Sequence, residues 1–163
     1  MTEAPRRSSS SAAASFPRAK RIRKRADFVR IQTGGQRVTT RHLLLLVAAP
    51  RAGHEGAPLG PPGGPRLGLV ASRKVGGAVD RNRAKRLLRE AFRRFPELFP
   101  VGVDVVVILR AGAGSLGLGD VLAELRSVAP VLRRRARDAL AAGPLLAGAP
   151  ARGASSAEPA GSR

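Results

Sequence analysis

The sequence predicts an α+β (α/β) sandwich, a small sheet and a few helices packed around one shared core. Three observations lead there. Apolar runs of strand length, "HLLLLV" and "VDVVVILR", lie among segments of helical period. The order along the chain is helix, strands, helix, strand, helix. The 163 residues suffice for one domain with one real core.

Residues 1–17 are low-complexity, basic and rich in Ser and Ala, and residues 143–163 are rich in Ala, Gly and Pro; both are expected to be disordered tails. The domain between them, 18–142, carries a loop insertion at 50–66, whose Pro and Gly content excludes helix or central strand. "ADFVRIQTGG" opens the helical pattern, with Asp27 as N-cap, Gly34–Gly35 as stop, and Phe28 and Ile31 on one apolar face. "RHLLLLVAAP" is a buried strand broken by Pro50. In "RLGLVASRK", Leu67, Leu69 and Ala71 face one way. These two strands are expected to pair antiparallel across the insertion.

The next segment is an amphipathic helix. Asp80 caps its start, and Ala84, Leu87, Leu88, Ala91, Phe92 and Phe95 fall on one stripe. Pro96 and Pro100 end it. "VDVVVILR" (Val103–Arg110), nearly all apolar and β-branched, reads as a central strand buried on both sides. "LGDVLAELRSVAPVLRRRARDAL" is helical, with Asp120 near its start. Arg133, Arg134, Arg135 and Arg137 lie toward its end, where cations complement the dipole. Pro130 is expected to kink or split this helix.

Charge is the strongest functional signal. Lys and Arg number 30 against 11 Asp and Glu, a formal net charge of +19, which points to nucleic acid or an anionic membrane surface. Between Arg81 and Arg94 seven cations accompany one acid, Glu90. Like charges at i, i+4, such as Arg81, Lys85, Arg89 and Arg93, each cost roughly 0.2–0.5 kcal/mol. Asn82, Lys85, Arg86, Arg89 and Arg93 share about 100° of arc opposite the apolar stripe. The cations are a face, and a polyanionic partner would offset their repulsion. Only Asn82 there can both donate and accept, which favours reading a phosphate backbone over the base edges that a DNA-recognition helix contacts. Embedding among strands and turns argues against a membrane-surface helix.

Other chemistries find little support. Without cysteine there is no disulfide framework and no thiolate metal site. His42 and His54 lack a ligand pattern and read as solvated or loop residues. The acids are dispersed, with no carboxylate pair to hold two metals; Asp80 and Asp104 read as a cap and a strand-edge charge. No Ser–His–Asp arrangement is indicated. No catalytic and no metal-ligating residue is assigned, and the polypeptide alone is not expected to cut RNA. No stretch reaches the ~20 apolar residues of a membrane span, and the N-terminus lacks a secretory h-region. A cytoplasmic protein is expected. Gly76–Gly77, after Ser72-Arg73-Lys74, lacks the P-loop pattern and reads as a tight turn needing positive φ.

"RLGLVASRKVGGAVDRNRAKRLLREAFR" closely resembles the signature of the bacterial ribonuclease P protein subunit: a strand ending in Ser-(Lys/Arg)-Lys, a Val/Ile-Gly-x-Ala-Val turn, then Arg-Asn-Arg-x-Lys-Arg-x-x-Arg on a helix. "RIRKRADFVRIQTGGQRV" resembles the family's first helix and "DVVVILRAGAG" its last strand. The resemblance implies a ribosomal-protein-like fold: a four-stranded sheet packed with three helices, the basic helix sitting in a left-handed βαβ crossover. The fourth strand would be "RVTT" (Arg37–Thr40).

The resemblance also implies a function. The family protein binds a large catalytic RNA, and together they remove the 5′ leader of precursor tRNA. The RNA performs the hydrolysis with magnesium, which RNA and substrate hold. Carried onto this sequence, the RNA-binding residues are Arg73, Lys74, Arg81, Asn82, Arg83, Lys85, Arg86, Arg89 and Arg93. The basic lead-in adds Arg21, Arg23, Lys24 and Arg25. The leader cleft maps to Phe28, Gln32, Leu43 and Leu46. The family usually has aromatics there; here only Phe28 is one, which shifts leader binding toward phosphate contacts and apolar packing. A non-enzymatic ribosomal or assembly protein of similar fold, binding RNA, shares every charge argument.

Overall fold

In the computed structural model, which describes residues 16–51 and 64–145, the longest β-branched run becomes the central strand. The elements are α1 (Arg25–Gly34), β1 (Gln36–Thr39), β2 (Leu43–Ala48), β3 (Arg66–Ala71), α2 (Ala78–Arg94), β4 (Asp104–Leu109) and α3 (Leu118–Ala142). The sheet order is β1-β2-β4-β3. β2 pairs antiparallel with β1 and β4, while β3 pairs parallel with β4. The crossover between the parallel pair carries α2. Three helices and a four-stranded mixed sheet form the α+β sandwich. The expected antiparallel pairing of β2 with β3 does not occur. β4 lies between them, because a strand apolar on both faces needs neighbours on both edges.

Strand alternation sorts the apolar side chains onto two faces. Leu43, Leu45, Val47, Leu67, Val105, Val107 and Leu109 meet α2 and α3 on one face. Leu46, Ala48 and Val106 meet Ile22 and Ile31 on the other, beneath α1. α3 runs unbroken through Pro130, contrary to the expected split. The proline removes one N–H, and its exposed position leaves the freed carbonyl to water. The helix continues to Ala142, so Arg133–Arg137 precede its last turn, which holds no basic residue, and lie beyond the reach of the terminal dipole.

The expected tails and insertion fall mostly on residues 1–15, 52–63 and 146–163, outside the described residues, as does His54. Three residues at their borders belong to the packed domain. Phe16 is buried edge-to-face on Phe92, with ring centroids 5.1 Å apart. Leu145 packs on the α1-side core. Arg66 is buried as the first residue of β3. Asp27, expected as a cap, sits inside the first turn of α1 and is buried, with Lys24 at the N-cap position.

Asp104 is not a strand-edge charge. It is wholly buried at the start of β4. Arg66 Nε and Nη2 donate to its two oxygens at 2.7 and 2.6 Å, and Arg30 Nη2 from α1 donates at 3.0 Å. Arg30 Nη1 also donates to Ala49 O at 3.0 Å. Burial pushes the Arg66 pKa down, but the hydrogen bond and charge of Asp104 outweigh it, and the net direction is up. Asp104→Ala would leave the buried Arg66 without its carboxylate and Arg30 with only Asp27, 3.9 Å away, and is expected to lower stability by about 3–5 kcal/mol in urea denaturation. Replacing Asp27, Arg30, Arg66 and Asp104 together by apolar residues of similar volume should restore most of that loss.

Candidate nucleic-acid interface

The basic helix is launched by a turn that only glycine fits. Gly76 has φ +137°, and a Cβ there would lie 2.6 Å from Asp80 Oδ2. Gly77 is the N-cap, and its N–H donates to Asp80 Oδ2 at 3.2 Å. Asp80 therefore caps from the third helical position, with its charge still near the helix start. Arg73 and Lys74 stand exposed on the preceding turn.

Along α2, Ala84, Leu88, Ala91 and Phe92 are buried, with Leu87 and Phe95 half-buried beside them. Opposite, Asn82, Arg83, Arg86, Arg89 and Arg93 are exposed, and Arg81 and Lys85 are half-buried. These cations differ in what holds them. Arg81 Nη1 donates to Gly76 O at 3.2 Å and supports the turn. Arg83 Nη1 reaches Gly114 O at 3.5 Å. Arg93 pairs with Glu90 at 2.8 Å and Arg94 with the same carboxylate at 3.6 Å. Among the described residues, no side-chain hydrogen bond or ion pair engages Lys85, Arg86 or Arg89.

The basic lead-in divides. Residues 16–22 wrap the outer edge of β3, from Phe16 in the α2/α3 core to Ile22 in the α1 core. Ile22 N–H donates to Leu67 O at 3.0 Å. Arg21 is exposed on the α2 side, its guanidinium 5.1 Å from the Phe16 ring centre. Arg23, Lys24 and Arg25 are exposed at the start of α1, where cations oppose the helix dipole.

The surface onto which the expected leader cleft maps lies on the other side of the sheet, beside α1, and is half-buried and apolar. Phe28 is half-buried and lies over Gly68, where a Cβ would come within 2.7 Å of the ring. Gln32, also half-buried, follows one turn along. The floor is the cross-strand row Leu44–Ile108–Val70, all half-buried. Arg37, opposite Leu46 in the β1–β2 register and exposed, shares that face. Leu43 and Leu46 cannot line this cleft together. Their odd spacing places them on opposite faces; Leu43 is wholly buried against α2 and α3, and Leu46 lies beneath α1, 1% exposed. Leu44 is the β2 side chain that the cleft presents, and strict alternation from Leu46 identifies it.

A further contact escaped the sequence. Thr40 and His42, at the β1–β2 turn, both engage Glu124 of α3, and His42 N–H donates to Glu124 Oε2 at 3.1 Å. His42 is thus a loop residue, as expected, but a partnered one. Burial pushes the Glu124 carboxyl up, but hydrogen bonds from Thr40 and His42 outweigh it, and the net direction is down. Among the described residues, no three His, Asp or Glu side chains gather as a metal site. The partners of Asp104, Glu90 and Glu124 are Arg and His side chains, a donor set that does not fit a magnesium pair. No helix of the described residues is long and apolar enough to cross a membrane.

Comparison with known proteins places this arrangement. A family described as Ribonuclease P matches residues 16–136. The ribonuclease P protein component of Desulfovibrio desulfuricans is 44% identical over 125 residues, covering 75% of this chain and 87% of that protein. That of Syntrophus aciditrophicus is 35% identical over 108 residues, covering 66% and 82%. Among solved structures, the Staphylococcus aureus RNase P protein superposes with a TM-score of 0.56 at 29% identity, covering 69% of this chain and 94% of that one. The Thermotoga maritima RNase P protein gives 0.55 at 31%, covering 70% and 96%.

Replacing Lys85, Arg86 and Arg89 together by Gln should flatten the dependence of log K on log salt for RNA binding by roughly 2 to 3, since each neutralised phosphate contributes about 0.7–0.9. Affinity titrations between low and moderate salt measure this directly.

Proposed function

The chain belongs to the ribonuclease P protein family, and from that membership we propose that it binds RNA on two opposite faces while its RNA partner carries out bond cleavage. It is the protein subunit of a ribonuclease P ribonucleoprotein, which matures the 5′ end of tRNA. A ribosomal or assembly role loses its support, since the relatives named above are ribonuclease P components. The finer assignment is that the α2 face docks on the catalytic RNA and the α1 cleft receives the 5′ leader of precursor tRNA, in the cytoplasm. Magnesium is held by RNA and substrate.

The observation that carries the reading is the α2 stripe. Lys85, Arg86 and Arg89 repel their neighbours and engage no acid among the described residues, so only an outside polyanion makes their placement favourable. The cleft supports the second contact. Its half-buried apolar floor and single aromatic wall suit an unpaired strand, whose bases stack on aromatic and apolar surface. Arg37 supplies a cation on the same face for the backbone. The α1 cleft and α2 lie on opposite sides of the sheet, so two RNA segments can be held at once.

Reconstitution tests the division of labour. With its catalytic RNA, the chain should allow leader removal at lower magnesium than the RNA alone requires, and the chain alone should leave precursor tRNA intact. Cleavage by the polypeptide alone would overturn the reading. Within the cleft, Gln32→Phe should rebuild a stacking wall beside Phe28. The holoenzyme should then bind precursor tRNA about fivefold or more tightly, from a stacking gain of about 1–3 kcal/mol, while mature tRNA, lacking a leader, should be unaffected. Equal effects on both tRNAs, or none, would show that α1 does not face the leader.

A further inference from the structure

The contact between His42 and Glu124 begins a line of close approaches that ends at the start of α2. We propose that His42 and Glu124 are positioning residues for RNA binding: their hydrogen bonds fix loop 110–115, and that loop seats the turn that launches α2 and so sets the place of Arg83. The proposal rests on the α2 docking surface described above and adds to it two residues that lie outside it.

The first link is the Glu124 carboxylate. Thr40 and His42 both engage it, and the His42 backbone N–H donates to Oε2 at 3.1 Å. This ties the β1–β2 turn to α3. The second link is Arg110. Its N–H donates to His42 O at 2.9 Å, and its Nη1 donates to Thr40 O at 3.0 Å. The third link is the imidazole. It lies so close to Gly112, at φ +85°, that a Cβ there would stand 3.0 Å from His42 Cδ2. The loop then turns inward, with Ala113 and Gly114 buried. A Cβ on Gly114 would stand 2.8 Å from Asp80 Cβ and 3.0 Å from Val75 O. The loop is therefore pressed against the capping residue of α2 and the turn before it. Arg83 Nη1 reaches Gly114 O at 3.5 Å. Contacts this close pass a displacement on instead of absorbing it. Holding a guanidinium in place before binding also reduces the entropy lost when it meets RNA.

Charge alone predicts the wrong sign for these residues. Glu124 is an acid in a chain of net charge +19, so its removal should strengthen the binding of a polyanion. The positioning role predicts weaker binding. The test measures affinity of the full chain for its catalytic RNA in wild type, Glu124→Ala, Glu124→Gln and His42→Ala, and in each of the two alanine variants combined with Arg83→Gln or with Arg89→Gln. It is run at a temperature where melts show every variant folded, and His42→Ala decides alone should Glu124→Ala not fold. Glu124→Ala and His42→Ala should each weaken binding about threefold or more. Glu124→Gln, which keeps the shape and an acceptor, should stay within about twofold of wild type. The losses should largely disappear once Arg83 is already replaced, and persist in full beside Arg89→Gln, further along α2. A merely structural contact would not discriminate between these two backgrounds. The positioning role is overturned, while the α2 surface stands, if the alanine variants bind as tightly as wild type or more tightly, if their losses persist equally in both backgrounds, or if Glu124→Gln loses as much as Glu124→Ala. If Arg83→Gln and Arg89→Gln themselves leave affinity unchanged, the α2 surface is overturned as well.

Discussion

Asp104 is the buried charge on which the placement of α1 depends. A lone carboxylate in this core would be costly in free energy, and two guanidiniums from separate elements make its burial tolerable. Arg66 reaches it from the neighbouring strand and Arg30 from α1 above the sheet. Apolar contacts between α1 and the sheet are few: chiefly Phe28 and Ile31, with Ile22 of the preceding strap, on Leu46, Ala48 and Val106. Such contacts alone would tolerate sliding. The guanidinium of Arg30, held between Asp104 and Ala49 O, specifies one position. That position puts Phe28 over Gly68 and leaves the Leu44–Ile108–Val70 row half uncovered. The cleft is therefore a consequence of where the charge is buried.

The cations of this chain fall into two classes with opposite energetics. Arg30 and Arg66 are buried, paired and part of the fold; Arg81 supports the turn that launches α2. Lys85, Arg86 and Arg89 contribute repulsion to the free protein and affinity to the complex. The same separation explains why α2 can be so basic and still fold. Its apolar stripe, from Ala84 to Phe92, is buried on the sheet and α3, and burial at about 25 cal/mol per Å² outweighs repulsions of a few tenths of a kcal/mol each.

Much of this was legible in the residues. The α2 stripe is a clean helical period, and the ordered cations after the Gly76–Gly77 turn carry the family resemblance. The β4 run declares a central strand by composition. The order of strands was not legible, because local pattern states that a strand is buried and not which neighbour covers it. The Asp104 cluster escaped because its arginines lie 38 and 74 residues from Asp104 in sequence, and each alone looks like a boundary charge. Phe16 escaped because one aromatic in a Ser/Ala context carries no periodicity. The misplacement of Leu43 was avoidable: residues three apart on a strand cannot share a face.

The central claim is that Lys85, Arg86 and Arg89 serve an RNA partner and not the fold. The most direct test is thermal unfolding of the free chain in low salt, comparing wild type with the variant carrying Gln at all three positions. Relief of repulsion predicts that the variant melts at the same temperature or about 1–3 °C higher, although it binds RNA more weakly. A melting temperature several degrees lower would contradict the claim, because it would mean that these side chains hold the fold together.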